Sequence, residues 1–399
     1  MFKSYKYRLY PNKQQVELIN NHFGCCRLVY NLALQVKVEA YYTKNKHLSA
    51  FDLCYQLPEL KKEFKWLQEI DSQALQASIR KLDIAFKNFI KRKSGFPKYK
   101  SKHSKQSFQC PNNTRRINWN EDTLDLPKIK GIPIVLSRTF KGKIKTVTIS
   151  RTPTKKYYVS ILVQNDKKLP KKAPIKENTT IGIDLGLSHF IITSDGIKVD
   201  NPRYLRQAMS RLKVLNRRAS KKVKGSQNRK KANLRIALQH EKVTNKRMDF
   251  LHKLSTKLIR DNQTICVENL SVSNMVKNHK LAQAITDVSW SKFIELLKYK
   301  ADWYGKTVIQ INKFEPTTKT CNNCGFVNEK LTLKDRNWQC NICGTKHDRD
   351  INAAINIKKE GLKKAGRGTP KVPVELPVLA GTMKQECIIT TNSTYSMTQ

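Results

Sequence analysis

Residues 180–187 read T-I-G-I-D-L-G-L, an apolar strand interrupted by one carboxylate, Asp184, and followed by Gly186. Apolar side chains on both faces describe a strand covered on both sides, as in an α/β domain. A carboxylate in such a strand is costly unless a cation or a hydrogen-bond donor meets it. The plainer alternative makes Asp184 a turn-initiating residue before Gly186. Two more acids stand in comparable settings. Glu268 ends the apolar run of I-C-V-E-N-L at 265–270, where it is either a ligand or a loop or capping glutamate. Asp350 lies in H-D-R-D-I-N-A-A-I-N-I at 347–357 and opens a late helix, where an N-cap is the competing role. Asp348 is its local rival as a metal ligand. Taken together, a strand-borne Asp, a second strand-borne Glu and an Asp opening a late helix describe a nuclease centre on an RNase H-like sheet. Carboxylates are hard oxygen ligands suited to Mg2+ or Mn2+. Two such ions about 4 Å apart activate water and stabilise the leaving oxygen of a phosphodiester.

Around these acids the patterning predicts strands at 180–183, 190–193, 264–267 and 307–311 and helices at 291–304 and 351–362. Residues 201–260 read as helical with a break near Gly225. Residues 165–178 are polar with two prolines and read as a linker between two lobes. Upstream, residues 2–10 alternate Tyr5, Tyr7 and Leu9 with Lys6 and Arg8, a strand ended by Pro11. Asn12 and Gln15 resemble a capping box opening a helix over 13–43 that buries Val16, Ile19, Phe23 and Tyr30. A second helix over 72–91 carries a continuous stripe of Leu75, Ile79, Leu82, Phe86 and Phe89. Residues 91–105 read as a basic loop, and 106–164 as short strands with turns. The tail 363–399 has no apolar period and is expected to be disordered.

Cys321, Cys324, Cys340 and Cys343 give C-x2-C-x15-C-x2-C, a zinc-ribbon spacing. Thiolates three residues apart converge on one ion across a tight turn, and two such knuckles complete a tetrahedron. Gly325 and Gly344 each follow a second cysteine, where the knuckle needs a positive φ. Four protein ligands leave no open position, so this zinc is structural. The other cysteines, Cys25, Cys26, Cys54, Cys110, Cys266 and Cys387, read as core or incidental residues.

The chain of 399 residues has 77 Lys and Arg against 31 Asp and Glu, a net charge of +46. Such a charge repels itself unless a polyanion offsets it, and nucleic acid is the obvious one. Between 201 and 260 there are 19 basic residues and two acids. Arg211, Lys213, Arg217, Arg218, Lys221, Lys222, Arg229 and Lys230 are the candidates for contacts to a nucleic-acid backbone. Helix 72–91 leaves Gln73, Gln76 and Lys81 off its apolar stripe, and Gln and Lys can read base edges. No apolar run approaches the roughly 18 residues a membrane span requires. The opening M-F-K-S-Y-K-Y-R-L-Y-P lacks a signal-peptide core. The expectation is a cytoplasmic, nucleoid-associated protein without a membrane partner.

The acids in I-G-I-D-L-G-L-S, V-E-N-L-S-V and D-R-D-I-N-A-A-I-N-I, with the four-cysteine ribbon between the second and third, resemble the TnpB (OrfB) family of bacterial insertion sequences, relatives of type V CRISPR effectors. The likeness extends to Y-R-L-Y-P-N-K-Q-Q and F-G-C-C-R-L-V-Y-N near the start. It also takes in G-F-P-K-Y-K at 95–100, N-H-K-L-A at 278–282, S-W-S-K-F at 289–293 and K-T-C-N-N-C-G at 319–325. It spans roughly residues 1–375. The resemblance implies an α/β multidomain protein with an N-terminal, wedge-like β-barrel formed by 1–10 and 106–164 and a helical recognition insertion at 11–105. After the linker it implies an RNase H-like (RuvC) nuclease domain at 179–312 and 345–362, with a zinc ribbon inserted at 313–344. It implies an RNA-guided DNA endonuclease that binds a guide RNA from the transposon end, checks a short motif in duplex DNA and cuts both strands at one Mg2+-dependent site. The family's RuvC residues carry over to Asp184, Glu268 and Asp350. The transposon's single-strand transposase would be a functional partner. Basic helices at 203–260 suit a guide–target heteroduplex held by its backbone. A DDE-type transposase, whose acids run D-D-E, a nuclease-inactive relative that only represses, and a zinc-ribbon DNA-binding protein without activity are the other readings.

The charge alone yields a first prediction. The protein should purify with RNA and be poorly soluble without it. Its nucleic-acid affinity should fall with salt by a log–log slope near ~0.7–0.9 for each phosphate neutralised. A nucleic-acid-free preparation that stays soluble at low salt, with an affinity indifferent to salt, would contradict this.

Overall fold

The computed structural model of the chain describes residues 1–111, 116–313, 315–332 and 334–366. The chain separates into two compact units, Met1–Lys168 and Leu169–Gln399, and the division falls inside the polar stretch 165–178.

The first unit opens with β1 (Phe2–Leu9) and continues through α1 (Lys13–Lys44), α2 (Ala50–Tyr55), α3 (Leu57–Glu63) and α4 (Ser72–Ile90). The chain then returns to strands: β2 (Gln106–Pro111), β3 (Arg116–Asn118), β4 (Thr123–Leu126), β5 (Ile129–Val135), β6 (Lys143–Arg151) and β7 (Tyr157–Gln164). These form one curled antiparallel sheet in the order β2-β6-β7-β1-β5-β4-β3. β1 is its spine, paired with β7 from Phe2↔Gln164 to Leu9↔Tyr157 and with β5 at Leu9↔Ile134. Strand alternation puts Tyr7, Leu9, Val159, Ile161 and Val163 in the core and turns Lys6 and Arg8 to the other face. The capping box at Asn12 is present: Gln15 N donates to Asn12 Oδ1, and Gln15 Oε1 accepts from Asn12 N. Leu75, Ile79 and Leu82 of the α4 stripe are fully buried, whereas Phe89 at its far end is 39% exposed. Helices α2 and α3 were not anticipated. At six and seven residues they are too short to display a periodic stripe, although Ser49 and Asp52 form a capping box at α2.

The second unit contains β8 (Thr180–Leu185), β9 (His189–Thr193), β10 (Lys198–Asp200), α5 (Tyr204–Ser220), α6 (Gln227–Asp261) and β11 (Thr264–Val267). It continues with α7 (Val272–Met275), α8 (His279–Val288), α9 (Trp290–Tyr304), β12 (Thr307–Gln310), β13 (Asn337–Gln339), β14 (Lys346–Asp348) and α10 (Arg349–Gly366). Its RNase H-like sheet has the order β10-β9-β8-β11-β12. The first three strands are antiparallel, while β11 and β12 run parallel to β8. Gly225, at φ +90°, makes the break between α5 and α6. Asp287 is buried on α8; its carboxylate accepts from the backbone N–H groups of Leu205 and Arg206 and pairs with Arg247 Nη2 at 2.7 Å. One carboxylate thus caps α5 and ties it to α6 and α8.

Two boundaries differ from expectation. The last helix begins at Arg349 and reaches Gly366, so residues 363–366 belong to it and not to a disordered tail. Lys363 pairs with Glu360, and Lys364 Nζ donates to Gln310 O at 2.7 Å, which extends the helix by fastening its end. The rest of the expected tail, with Cys387, lies outside the described residues. The ribbon, expected to end at 344, continues through β14, which pairs with β13 from Asn337↔Asp348 to Gln339↔Lys346.

Helix α10 lies directly against the sheet. A Cβ built on Gly182 would stand 2.7 Å from Lys358 N and closer still to Ala354 O, both on α10. A Cβ on Gly361 would stand 2.7 Å from Cys266 Cβ on β11. Both contacts are tighter than any side chain tolerates, so glycine sets the helix–sheet distance. Gly182→Ala should therefore destabilise the second unit by roughly 1–3 kcal/mol, the usual cost of overpacking. Gly24→Ala in α1, where nothing lies within 4 Å of the added methyl, should be neutral or stabilising by up to about 1 kcal/mol. Denaturant unfolding of the two variants checks the contrast.

Candidate carboxylate site and cysteine ribbon

Asp184 and Glu268 are brought together by strand register. β8 and β11 are parallel with Ile183 opposite Val267, so the next residue of each strand, Asp184 and Glu268, sits side by side at the carboxyl ends. Neighbouring strands are only about 4.8 Å apart. Thr317, buried just before the first ribbon cysteine, donates from Oγ1 to Glu268 Oε1 at 3.2 Å and holds that carboxylate in place. Asp350 comes from the first turn of α10, laid over β8 by the contact at Gly182.

The aspartates of D-R-D divide their work. Asp348 Oδ1 accepts from the N–H groups of Asp350 and Ile351 at 3.0 and 3.1 Å, so Asp348 is the N-cap of α10. Its other oxygen pairs with Lys198 Nζ of β10 at 2.6 Å, and these donors hold its carboxyl below the usual range. The capping role open to Asp350 in the sequence is therefore filled by Asp348. Asp350 instead pairs with Arg336 Nη1 at 3.1 Å and Arg349 Nη2 at 3.2 Å.

Asp184 and Glu268 are buried carboxyls, and Asp184 also has like charges beside it. Burial, followed by the charges of Glu268 and Asp350, raises the Asp184 carboxyl to about 8. Burial also raises Glu268, partly countered by the Thr317 hydrogen bond. Crowded carboxylates of this kind resist joint ionisation unless a cation offsets them. The donor set is all hard oxygen, so the residues fit divalent ions such as Mg2+ or Mn2+.

The ribbon cysteines form a tighter cluster. Among the described residues, Cys321, Cys324, Cys340 and Cys343 are the one set of three or more ligating side chains whose atoms all lie within 4.8 Å of one another. The three carboxylates are spaced more widely than that. Sγ–Sγ distances of 3.6 Å for Cys321–Cys343 and 3.5 Å for Cys324–Cys340 approach the ~3.8 Å edge of a tetrahedron with 2.3 Å zinc–sulfur bonds. Gly325 and Gly344 have φ of +81° and +71°, as the knuckles require. His347, buried with its ring tilted against that of Trp338, stands with Nε2 3.0 Å from Cys321 Sγ. The ribbon is bolted to α10 by two buried asparagines. Asn352 Nδ2 donates to Thr320 O and its Oδ1 accepts from Asn322 N, while Asn356 Nδ2 donates to Thr317 O and Thr320 O. Thr317, Asn352, Asn356 and Arg336 were not singled out from the sequence. The repeated N-x3-N of I-N-A-A-I-N-I was the available signal, since two amides one turn apart on an apolar helix face need partners.

The other candidates fall on different surfaces. Arg211, Lys213, Arg217, Arg218, Lys221, Lys222 and Lys230 are exposed on or between α5 and α6. Arg229 instead turns inward: its Nη1 donates to Lys222 O at 2.8 Å and to Ser220 O, bracing the turn after α5. Gln73 and Gln76 are half-buried on α4, and Lys81 faces a small cavity, away from Gln76.

Two tests follow. The protein should carry one zinc per chain, and Cys321→Ser should release it and raise hydrogen exchange over the first turns of α10; elemental analysis and exchange mass spectrometry check both. For Asp184, the folded pKa lies above the unfolded value, so its contribution to stability is complete below about pH 4 and is lost as pH rises toward 8. In the absence of divalent ions, Asp184→Asn should therefore melt above wild type at pH 9, with the gap closing toward pH 4. A gap that widens in acid would refute the buried-carboxyl account.

Three family models match the chain: that for OrfB of IS605-type elements, described as "Probable transposase", at residues 159–279; a Cas12f1-like TNB domain at 290–357; and the OrfB helix-turn-helix domain at 1–46. A Streptomyces pristinaespiralis protein named as an RNA-guided DNA endonuclease is 40% identical over 92% of this chain and 91% of its own length. The Escherichia coli protein InsQ, named likewise, is 28% identical over 94% of this chain and 98% of its own. Among solved structures, the Cas12f1–sgRNA–target DNA complex aligns with a TM-score of 0.57 at 13% identity, covering 90% of this chain and 98% of that one. That likeness concerns the fold. With 40% identity across nine-tenths of both sequences, the chain belongs to the TnpB (OrfB) family.

Proposed function

We propose that the protein is an RNA-guided DNA endonuclease, and that Asp184, Glu268 and Asp350 form its single cutting site. The observation that carries this reading is the side-by-side placement of Asp184 and Glu268 at the ends of parallel strands, with Asp350 delivered over them by α10. The relatives' names and the family membership supply the RNA guide and the DNA target. The basic faces of α5 and α6 suit the sugar–phosphate surface of a guide–target heteroduplex. The guide is expected to derive from the transposon end, and a short DNA motif is expected to license cutting, with Gln73 and Gln76 of α4 as candidate readers. No helix among the described residues is long and apolar enough to cross a membrane, and the nucleoid is the expected place of work.

In this mechanism the protein supplies placement and charge. Asp184 and Glu268 offer oxygens at one end of the sheet, and Thr317 fixes the rotamer of Glu268. Asp348 caps α10, which keeps the Asp350 side chain out of the cap and free to face Asp184. Arg349 and Arg336 balance the Asp350 charge. Bound divalent ions would supply an activated water and neutralise the leaving oxygen. One site serving two strands requires that they enter in turn.

Asp184→Ala, Glu268→Gln and Asp350→Ala should each lower cutting of both strands by at least ~100-fold while leaving guide and target binding within about threefold. Asp348→Ala should instead cost about 1 kcal/mol of stability, the usual loss of an N-cap, and retain measurable cutting. Cleavage and binding assays on guide-loaded protein decide. Normal nicking of one strand by Asp184→Ala would reveal a second site. Full activity in Asp350→Ala would show that the wrong aspartate of D-R-D has been assigned.

A further inference from the structure

Arg27 of α1, Lys81 of α4 and Lys100 and Lys105 of the segment entering β2 line one small cavity in the first unit. Its volume is about 70 Å³, room for several waters or one phosphate group and far too little for a nucleoside. No carboxylate lines it, and Ser104 is among its lining residues. Four cations around one small cavity describe an oxyanion seat.

Lys100 shows how deliberately the seat is built. Asn31 grips its backbone on both sides, donating from Nδ2 to Lys100 O at 3.0 Å and accepting from Lys100 N at 2.8 Å. The stretch expected as a basic loop is thus tied to α1 at the last lysine of G-F-P-K-Y-K. The ammonium lies 3.5 Å from the centroid of the Tyr30 ring, which offsets part of its lost hydration. Burial and then the neighbouring Lys81 still lower its pKa to about 8. Arg27 is aimed in turn by Gln106, whose Oε1 accepts from Nη1 at 3.3 Å and whose Nε2 is anchored on Ser104 O.

We propose that the cavity seats one backbone phosphodiester of a nucleic-acid strand, held by the ammonium groups of Lys100 and Lys81. A seat that admits the phosphate and excludes the nucleoside positions the strand without reading its sequence. The proposal rests on the nucleic-acid-binding part of the function given above, and it assigns Lys81 to a phosphate and not to a base edge.

The test uses full-length, guide-loaded protein carrying Asp184→Ala, so that binding is read without cutting. Target duplexes are prepared with a single neutral methylphosphonate at successive positions, and a second series carries the replacement along the guide. One position should weaken binding about tenfold when Lys100 is present and less than twofold in Lys100→Met. Lys81→Met should lose sensitivity at that same position. The strand that carries the position identifies the source of the phosphate. The proposal is overturned if Lys100→Met, with unchanged melting temperature and zinc content, leaves the methylphosphonate profile of both strands as it was. Protein that binds guide and target but never cuts, even with Asp184 restored, would sink the nuclease reading and leave this seat standing. Protein that binds neither strand would sink both.

Discussion

The fold of the second unit turns on a missing side chain. Gly182 lets the backbone of α10 rest on β8 closer than any Cβ would allow. Every other feature of the carboxylate site inherits that distance. The helix carries Asp350 to the strand that carries Asp184, and Gly361 repeats the close approach over Cys266 on β11. Dense packing makes such a contact unforgiving, because a core cannot absorb even one added carbon without moving a whole element. In I-G-I-D the glycine and the aspartate are therefore one device, the first setting the gap that the second needs.

The charge balance of the molecule is concentrated in the same place. A chain with few acids sets three of them at one end of a sheet, where burial and then the other two raise the Asp184 carboxyl. The basic residues nearby are not neutral bystanders. Lys198 secures the capping aspartate, while Arg349 and Arg336 secure Asp350. Arg336 lies just before β13 of the ribbon, so the cysteine module reaches the carboxylates with a guanidinium as well as through the asparagines of α10. The ribbon's contribution is thus mechanical and electrostatic, since its four thiols leave no position open for chemistry.

How much of this could be read from the sequence depended on whether a signal was periodic, spaced or merely local. The strands and long helices announced themselves by period, and the capping box at Asn12 by its residue types. The ribbon was legible because C-x2-C pairs have few other uses, and the glycines after them carry the positive φ that the turn demands. The choice between Asp348 and Asp350 was not legible. Both lie at a helix start, and only the register of α10 against β14 decides which one caps. Thr317 was invisible for another reason: a threonine in a polar loop carries no pattern until the fold sets it beside Glu268. Arg229 illustrates the converse, a member of a basic run that looked solvated and is spent on two carbonyls. The short helices α2, α3 and α7 escaped because one or two turns cannot show a stripe.

The order of the acids along the chain has a consequence for synthesis and breakage. Asp184 and Glu268 can meet as soon as β8 and β11 pair, but Asp350 follows both cysteine knuckles. A nascent chain thus possesses all of the curled sheet and the basic helices before it possesses a complete set of acids. A polypeptide severed anywhere between β12 and α10 keeps the basic residues of α5 and α6 and loses its third carboxylate. On the proposed function, fragments of this protein would occupy nucleic acid without cleaving it, and so compete with the intact molecule instead of adding to its damage.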